Sequence, residues 1–200
     1  MTSFVTSHLS ISLDGFVAGP DQSQQHPLGV DGGKLHRWHL EDPKHPVDEA
    51  FTQRLLGPRG AYIMGRKMFG PVRGEWGTSD WRGWWGPEPP YHAPVFVMTH
   101  YAHAPVEMEG GTTFHFVDSF PAALAAARDV AGDLPIDVAG GASAVRQALQ
   151  AGCLDELVLD IIPVVLGRGE RLFDGVADLS AEPVDVATSP NATHVVYRIT

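Results

Sequence analysis

The stretch IDVAGGASAV, residues 136–145, decides the fold, because an apolar run stops at a glycine pair and a helical pattern starts at once. Two glycines allow the backbone to turn sharply and a ligand to approach it closely. The first turn of the helix that follows presents free N–H groups and the positive end of its dipole. This arrangement suits a phosphate group. A plain strand-to-helix turn has the same pattern, so the stretch alone leaves both interpretations open.

A second strand–glycine unit lies upstream, in AYIMGRK at residues 61–67. Gly65 allows a close backbone approach, and Arg66 and Lys67 stand at the start of a short helix. Basic side chains are unfavourable at that end of the helix dipole, so a bound anion explains their position. A solvated basic pair is the alternative. The two units predict a nucleotide cofactor at the ends of the strands.

Composition limits the class of protein. The chain has 200 residues with a formal net charge of −10, and 44% of its residues are hydrophobic, which predicts one globular domain over residues 1–200. No basic cluster or apolar run of about 18 residues is present, so no nucleic-acid or membrane role is expected. The single cysteine, Cys153, excludes an internal disulfide. Residues 1–4 lack the features of a signal peptide, so a cytoplasmic location is expected.

Strands alternate with helices through most of the chain, and a hairpin signal at residues 189–191 precedes the last strand. This order predicts an α/β fold with a mostly parallel sheet and an antiparallel C-terminal edge. Two irregular insertions are expected near 21–46 and 70–93, the second carrying four tryptophans. The predicted strands cover 4–12, 60–64, 94–99, 112–117, 135–139, 155–165, 184–188 and 193–200, and the predicted helices cover 47–56, 119–130 and 142–151.

Motifs along the chain resemble a known family. SLDGFVAG at 12–19, IMGRKMF at 63–69, VFVMTH at 95–100 and VAGGAS at 138–143 look like dihydrofolate reductase. The segments 154–157, 162–169 and 172–173 narrow the resemblance to the RibD C-terminal domain family, the reductase domain of riboflavin biosynthesis and its stand-alone relatives. The resemblance implies a three-layer α/β/α dihydrofolate-reductase-like fold, NADPH as cofactor and a homodimer.

The resemblance also implies where NADPH binds. The 2′-phosphate is expected at Thr99 and His100, and because histidine changes its charge near neutral pH, the affinity for NADPH is expected to fall as the pH rises. An exposed loop histidine is the alternative for His100. The remaining cofactor-binding residues implied are Val17, Gly65, Arg66, Lys67, Gly140, Gly141, Ala142 and Ser143.

Candidate catalytic groups are two carboxylates. Asp14 lies in the loop after the first strand, and Asp48 lies on the helix after that loop, beside Glu49. Either could supply the proton that a reduction needs. Asp14 could instead cap a turn, and Asp48 could instead favour the helix dipole. The expected substrate-binding residues are Phe16, Leu166, Gly167 and Arg168, with a surface turn as the alternative for Arg168.

The expected activity is NADPH-dependent hydride transfer to a C=N or C=O group of a small heterocyclic or carbonyl substrate. It is similar to that of the 5-amino-6-(5-phosphoribosylamino)uracil reductase domain. The alternative is a non-catalytic nucleotide-binding protein whose Trp-rich segment contacts a partner. The histidines at 36, 39, 100 and 103 lack a carboxylate or thiol at ligand spacing, so no metal is expected.

Overall fold

A computed structural model describes residues 3–71, 73–78 and 80–200. Its larger strands and helices fall within a few residues of the predicted ones. The strands are β1 Val5–Ser12, β2 Phe16–Ala18, β3 Ala61–Gly65, β4 Pro94–Met98, β5 Val106–Glu107, β6 Thr113–Val117, β7 Ile136–Gly140, β8 Glu156–Ile162, β9 Glu170–Arg171, β10 Ala181–Thr188 and β11 Thr193–Ile199. The α-helices are α1 Arg37–Leu40, α2 Pro46–Leu55, α3 Arg66–Phe69, α4 Phe120–Val130 and α5 Ala142–Gln150.

Nine of these strands form one sheet in the order β10-β11-β8-β1-β7-β3-β4-β6-β5. The six central strands, from β8 to β6, pair in parallel. The hairpin of β10 and β11 joins β8 antiparallel, and β5 pairs antiparallel with β6 at the other edge. The predicted α/β fold with an antiparallel C-terminal edge is therefore confirmed. Strands β2 and β9 form a separate two-stranded ribbon, which the sequence pattern did not predict.

One face of the sheet is covered by α4 and α5. The apolar residues of α4 at helical spacing, Phe120, Ala123, Leu124 and Ala127, are all buried. They share a core with alternate residues of the central strands, among them Val5, Ile63 and Val138. This periodicity fixes which side of each strand faces the two helices.

The opposite face carries two separate apolar clusters. Helix α2 packs with Trp38 over β8 and β11, and helix α3 packs with the Trp-rich segment over β3, β4 and β6. Strand β7 lies between the two groups of strands in the sheet. Its residues on this face, Asp137 and Ala139, therefore line the boundary between the clusters.

The segment 21–46 is more ordered than its composition predicts. A 3₁₀ helix over Gly32–His36 runs into α1, and together they bury Leu35 and Trp38 in the core, at 0% and 2% exposure. The sequence did not predict these short helices, because the segment is rich in Gly, His and Pro and only two large apolar residues, Leu35 and Trp38, lie on their buried side. The predicted strand 155–165 also ends early, at Ile162, where Pro163 follows.

Candidate functional site

The sheet opens between β1 and β7 at the carboxyl ends of the strands. The two strands pair only at Val5–Ile136 and Thr6–Asp137, whereas β1 stays paired with β8 as far as Ser12. Beyond those rungs, Ser7 Oγ donates a hydrogen bond of 2.7 Å to the Val138 carbonyl. Helices α2 and α5, which follow β1 and β7, lie on opposite faces. Such a switch point is where open α/β sheets bind ligands.

The two glycine corners lie side by side at this edge. Strands β3 and β7 are neighbours, and a Cβ built on Gly65 would lie 3.7 Å from the Gly141 amide nitrogen. Gly140 has φ +129°, a conformation that a side chain would strain. The Gly140–Gly141 peptide is cis. Gly141 caps α5, whose first-turn N–H groups have no intrahelical acceptor. The structure thus brings the two predicted corners together.

Arg66 and Thr99 lie at the ends of β3 and β4. Arg66 Nη1 donates to Thr99 Oγ1 at 2.7 Å, and Nη2 donates to the Gly74 carbonyl at 3.2 Å. The guanidinium carbon lies 3.2 Å from the centroid of the Trp76 ring. Burial lowers the pKa of Arg66. The exposed His100 directly follows Thr99. Three of the predicted cofactor residues, Arg66, Thr99 and His100, therefore lie at the ends of β3 and β4.

Lys67 forms an ion pair with the β2–β9 ribbon. Its Nζ lies 2.6 Å from Glu170 Oε1 on β9. The hydrogen bond from Lys67 is the main cause that lowers the pKa of Glu170, and the charges of Arg146 and Arg73 contribute. The charges of three cations therefore act on one carboxylate, in a chain whose net charge is −10.

The Asp14 carboxylate ties the loop after β1 to the loop after β8. Oδ1 accepts hydrogen bonds from Ser12 Oγ and the Leu166 amide, and Oδ2 accepts one from the Gly167 amide. The hydrogen bond from Ser12 is the main cause that lowers the pKa of Asp14 to about 2. Asp14 is therefore ionised near neutral pH, which disfavours a role as proton donor and fits the turn-capping alternative.

The predicted substrate residues lie on the loop after β8 and on β2. Phe16 is buried on β2, and the guanidinium carbon of Arg171 lies 4.5 Å from its ring centroid. Leu166 is half-buried, and Gly167 and Arg168 are exposed. The charge of Arg168 also contributes to the lowered pKa of Asp31 in the segment 21–46. Val17, predicted at the cofactor, is half-buried against the core below the ribbon.

Asp48 is fully buried on α2, the helix that packs over β8 and β11. Its Oδ1 accepts from His194 Nε2 at 3.0 Å, and its Oδ2 accepts from Asn191 Nδ2 at 2.8 Å. Burial raises the pKa of Asp48, but hydrogen bonds from Ser189, His194 and Asn191 outweigh it, so the pKa lies below its ordinary value. Asp48 therefore belongs to a buried polar network that the sequence interpretation missed.

That network continues to β1. Asp160 on β8 accepts hydrogen bonds from His194 Nδ1 at 2.7 Å and from His8 Nε2 at 2.9 Å. The sequence did contain a signal for this network. Thr6, His8, Ser10 and Ser12 occupy alternate positions of β1, and both faces of this central strand are covered. Polar residues at such spacing must find partners across the sheet.

The Trp-rich segment packs inward. Trp76, Trp81 and Trp85 contact the apolar cluster over β3, β4 and β6. Trp81 Nε1 donates a hydrogen bond to the Phe69 carbonyl, and Trp84 Nε1 donates one to the Lys67 carbonyl. Both acceptors belong to α3, so the segment is bonded to that helix. This packing fits hydrophobic plugs better than an open partner surface.

Other classes of site are absent from the part of the chain that the structure describes. No group of three or more His, Cys, Asp or Glu side chains in residues 3–71, 73–78 and 80–200 is arranged to hold a metal ion. In the same ranges, no helix combines the length and the apolar character that a membrane crossing requires. Cys153 is a half-buried free thiol whose pKa burial raises.

Solved structures share this fold over nearly the whole chain. A protein from Shewanella sp. PV-4 assigned to riboflavin biosynthesis is 20% identical, with 99% of both chains covered and a TM-score of 0.63. A pyrimidine reductase-like protein from Corynebacterium diphtheriae is 16% identical, with 99% of this chain and 92% of that chain covered and a TM-score of 0.59.

Dihydrofolate reductase from Enterococcus faecalis, solved as a complex with NADP(H), is 11% identical, with 100% and 98% covered and a TM-score of 0.57. At these identities the likeness establishes the fold, which is that of dihydrofolate reductase. No curated protein sequence matches the chain. The model of the RibD C-terminal domain matches residues 3–195. The chain therefore belongs to the RibD C-terminal domain family.

Proposed function

We propose that this protein is an NADPH-dependent reductase that transfers a hydride to a C=N or C=O group of a small heterocyclic or carbonyl substrate. The observation that carries the proposal is the pair of glycine corners, Gly65 and Gly140–Gly141, on neighbouring strands beside the β1–β7 opening. One extended dinucleotide can reach both corners and the opening.

The residues present fit such a cofactor. Arg66 Nε is buried and has no hydrogen-bond partner among the described residues, so the Arg66 side chain retains a donor for an anion. Thr99 Oγ1 accepts from Arg66 and from the Tyr101 amide, which leaves its own proton to donate. We assign the 2′-phosphate to Arg66, Thr99 and His100. The pyrophosphate is assigned to Gly141, Ala142 and Ser143 at the start of α5.

When bound, the reduced nicotinamide supplies the hydride, and the protein supplies distance, angle and exclusion of water. Asp14 fixes the amides of Leu166 and Gly167, so the two loops beside the opening hold one arrangement. Arg168 lies on the loop after β8 and Phe16 begins β2, directly after the loop that follows β1, and both are assigned to the substrate. The pyrimidine reductase-like relative supports a nitrogen heterocycle as one substrate class. A compound of that class, 5-amino-6-(5-phosphoribosylamino)uracil, is the substrate named for another structure of the same fold.

Titration with NADPH tests binding, because Trp76 stacks on Arg66 and its fluorescence should be quenched. Turnover is then measured as NADPH oxidation with a panel of pterins, aminopyrimidines and simple carbonyl compounds. Saturable quenching with turnover of at least one compound supports the reductase. Quenching without turnover of any compound supports the non-catalytic nucleotide-binding alternative, and no quenching contradicts both.

We further propose a homodimer in the cytoplasm, where reduced dinucleotide is available. Val184 and Val186 on β10 are 43% and 57% exposed on the outermost strand, and such a strand favours contact with a second copy. Light scattering should give twice the mass of one chain, and Val186→Glu should give one chain. A wild-type monomer would contradict the proposal.

A further inference from the structure

Strand β9 of the two-stranded ribbon is attached to both helices that begin at the glycine corners. Lys67 on α3 forms one attachment, with its Nζ 2.6 Å from Glu170 Oε1. Arg146 on α5 forms the other, through a hydrogen bond that Nη1 donates to the Arg171 carbonyl. The N-cap residues of the two helices are the corner glycines themselves. The ribbon is therefore connected to both units that we assign to the cofactor.

The two strands of the ribbon are closely packed against each other. Arg171 pairs with Phe16, and Glu170 pairs with Ala18. A Cβ built on Gly169 would overlap the Ala18 carbonyl oxygen, so this approach is possible only for glycine. Phe16, which we assign to the substrate, is buried, and the Arg171 guanidinium lies over its ring. A change in the position of β9 would therefore reach Phe16.

Glu170 places a negative charge among positive ones. The hydrogen bond from Lys67 is the main cause that lowers the pKa of Glu170. Burial opposes the shift, and the charges of Arg146 and Arg73 add to it. The carboxylate is therefore ionised at neutral pH. The chain as a whole carries a net charge of −10, so this group of cations is a local exception, and Glu170 acts as its anion in the free protein.

The ion pair between Lys67 and Glu170 can be reached from solvent. The two side chains are 34% and 39% exposed, so water screens their attraction and little free energy is needed to separate them. A pyrophosphate carries more negative charge than one carboxylate and offers more oxygens to charge-assisted hydrogen bonds. Lys67 also directly follows Arg66, to which we assign the 2′-phosphate. A pyrophosphate that reaches Lys67 would therefore compete successfully with Glu170.

We propose that Glu170 is an internal competitor of the cofactor: Lys67 binds its carboxylate in the free protein and exchanges it for the pyrophosphate of NADPH. This assignment rests on the proposed reductase function. In the exchange, Lys67 Nζ leaves Glu170 Oε1 and donates to a phosphate oxygen. Strand β9 then loses its attachment to α3 and keeps the one to α5 through Arg146. Cofactor binding thereby loosens one side of the ribbon that carries Phe16.

The exchange can be observed on the lysine side chains. The chain has three lysines, Lys34, Lys44 and Lys67, and the first two form ion pairs with other carboxylates. In protein labelled with ¹³C at lysine Cε we expect three signals, and Lys67→Arg identifies that of Lys67. Glu170→Gln should move this signal in the free protein and leave the other two in place.

Saturation with NADPH then tests the displacement itself. The Lys67 signal should move in the wild type. It should reach the same position in the wild type and in Glu170→Gln, because Lys67 no longer contacts residue 170 when the cofactor is bound. The signals of Lys34 and Lys44 are the internal controls and should stay at their free positions.

Binding measurements test whether Glu170 acts through Lys67. Glu170→Gln should tighten NADPH binding, measured by tryptophan quenching, about twofold to fivefold. In a Lys67→Met background the same change should have no effect, because the carboxylate then has no partner to occupy. Equal tightening in both backgrounds would overturn the proposal, since Glu170 would then act only by repelling the cofactor. Glu182→Gln removes a carboxylate from an exposed ion pair. It is the matched control and should bind NADPH as the wild type does.

The possible failures separate. Saturable quenching by NADPH with a Lys67 signal that stays at its free position would overturn the exchange and leave cofactor binding standing. A Lys67 signal that differs between the wild type and Glu170→Gln as much with NADPH as without it would have the same meaning. An absence of quenching in the wild type would overturn the proposed function and, with it, the exchange.

Discussion

Arg66 and Thr99 are joined across the ends of two neighbouring strands by a hydrogen bond of 2.7 Å between Nη1 and Oγ1. The same guanidinium lies on the Trp76 ring and donates to the Gly74 carbonyl. One side chain thus connects β3, β4 and the Trp-rich segment at the point where we place the 2′-phosphate of the cofactor.

Replacing Arg66 with alanine should weaken NADPH binding about tenfold, because a charge-assisted hydrogen bond to a phosphate contributes about 1.5–3 kcal/mol. The affinity for NADH, which lacks the 2′-phosphate, should change less. Quenching titrations with both dinucleotides measure the difference. Arg128→Ala, an exposed change on α4, is the control. Equal losses for NADPH and NADH would move the 2′-phosphate away from Arg66.

The exposed His100 should make NADPH binding depend on pH. An imidazolium next to the 2′-phosphate attracts it, so the dissociation constant should rise as the pH increases from 5.5 to 8.5. His100→Ala should bind NADPH with the weaker, high-pH affinity of the wild type throughout that range. A flat wild-type profile, or the same slope in the variant, would remove His100 from the cofactor site.

Glu170 holds Lys67 and adds a negative charge beside the proposed pyrophosphate position. Glu170→Gln should therefore tighten NADPH binding, by about twofold to fivefold, because partly exposed charges are screened by solvent. Glu182→Gln removes a carboxylate of the same type from an exposed ion pair with Arg198 on β11 and should have no effect. Weaker binding in Glu170→Gln would mean that the ion pair orients Lys67 for the cofactor.

Asp137 should make the fold less stable at neutral than at acidic pH. Burial raises its pKa from 3.8 to about 6, so the folded protein binds this proton more tightly than the unfolded chain does. Asp137 does not lower the free energy of unfolding below about pH 4. The loss grows as the pH rises to about 6 and reaches about 3 kcal/mol above that. Asp137→Asn should recover about 1–3 kcal/mol at pH 8 and little at pH 4.

Urea unfolding at the two pH values measures this difference. The exposed Asp133→Asn, four residues earlier on the loop before β7, is the control for the loss of one charge. A gain for Asp137→Asn that is the same at pH 4 and pH 8 would show that ionisation of Asp137 is not its cause.

Much of the fold was predictable because it depends on local patterns. The apolar, β-rich run at residues 4–12, the helical spacing of Phe120, Ala123, Leu124 and Ala127, and glycine at two strand ends each predict an element without knowledge of the rest. The β2–β9 ribbon was not predictable. Its two short strands are more than 150 residues apart, and their pairing follows only from the loops that the larger sheet brings together.

The backbone turns of the candidate site could be predicted from the sequence, whereas most of its side-chain contacts could not. Gly65 and Gly140 were identified because their conformational role is local. The network of His8, Asp160 and His194 was missed because its members lie on three strands whose neighbourhood depends on the β8-β1 and β8-β11 pairings. Asp48 was identified as a candidate from its helix, but its partners were not.

Leu35 and Trp38 have a practical consequence for protein engineering. Both belong to the segment 21–46, for which the sequence predicts an irregular insertion, and both are nearly inaccessible to solvent. Shortening that segment to obtain a minimal scaffold would remove interior packing, together with an indole that stacks on His8 and donates a hydrogen bond to Ser10 Oγ. Grafts and affinity tags should therefore be placed elsewhere, and a redesigned enzyme should keep these residues as fixed positions.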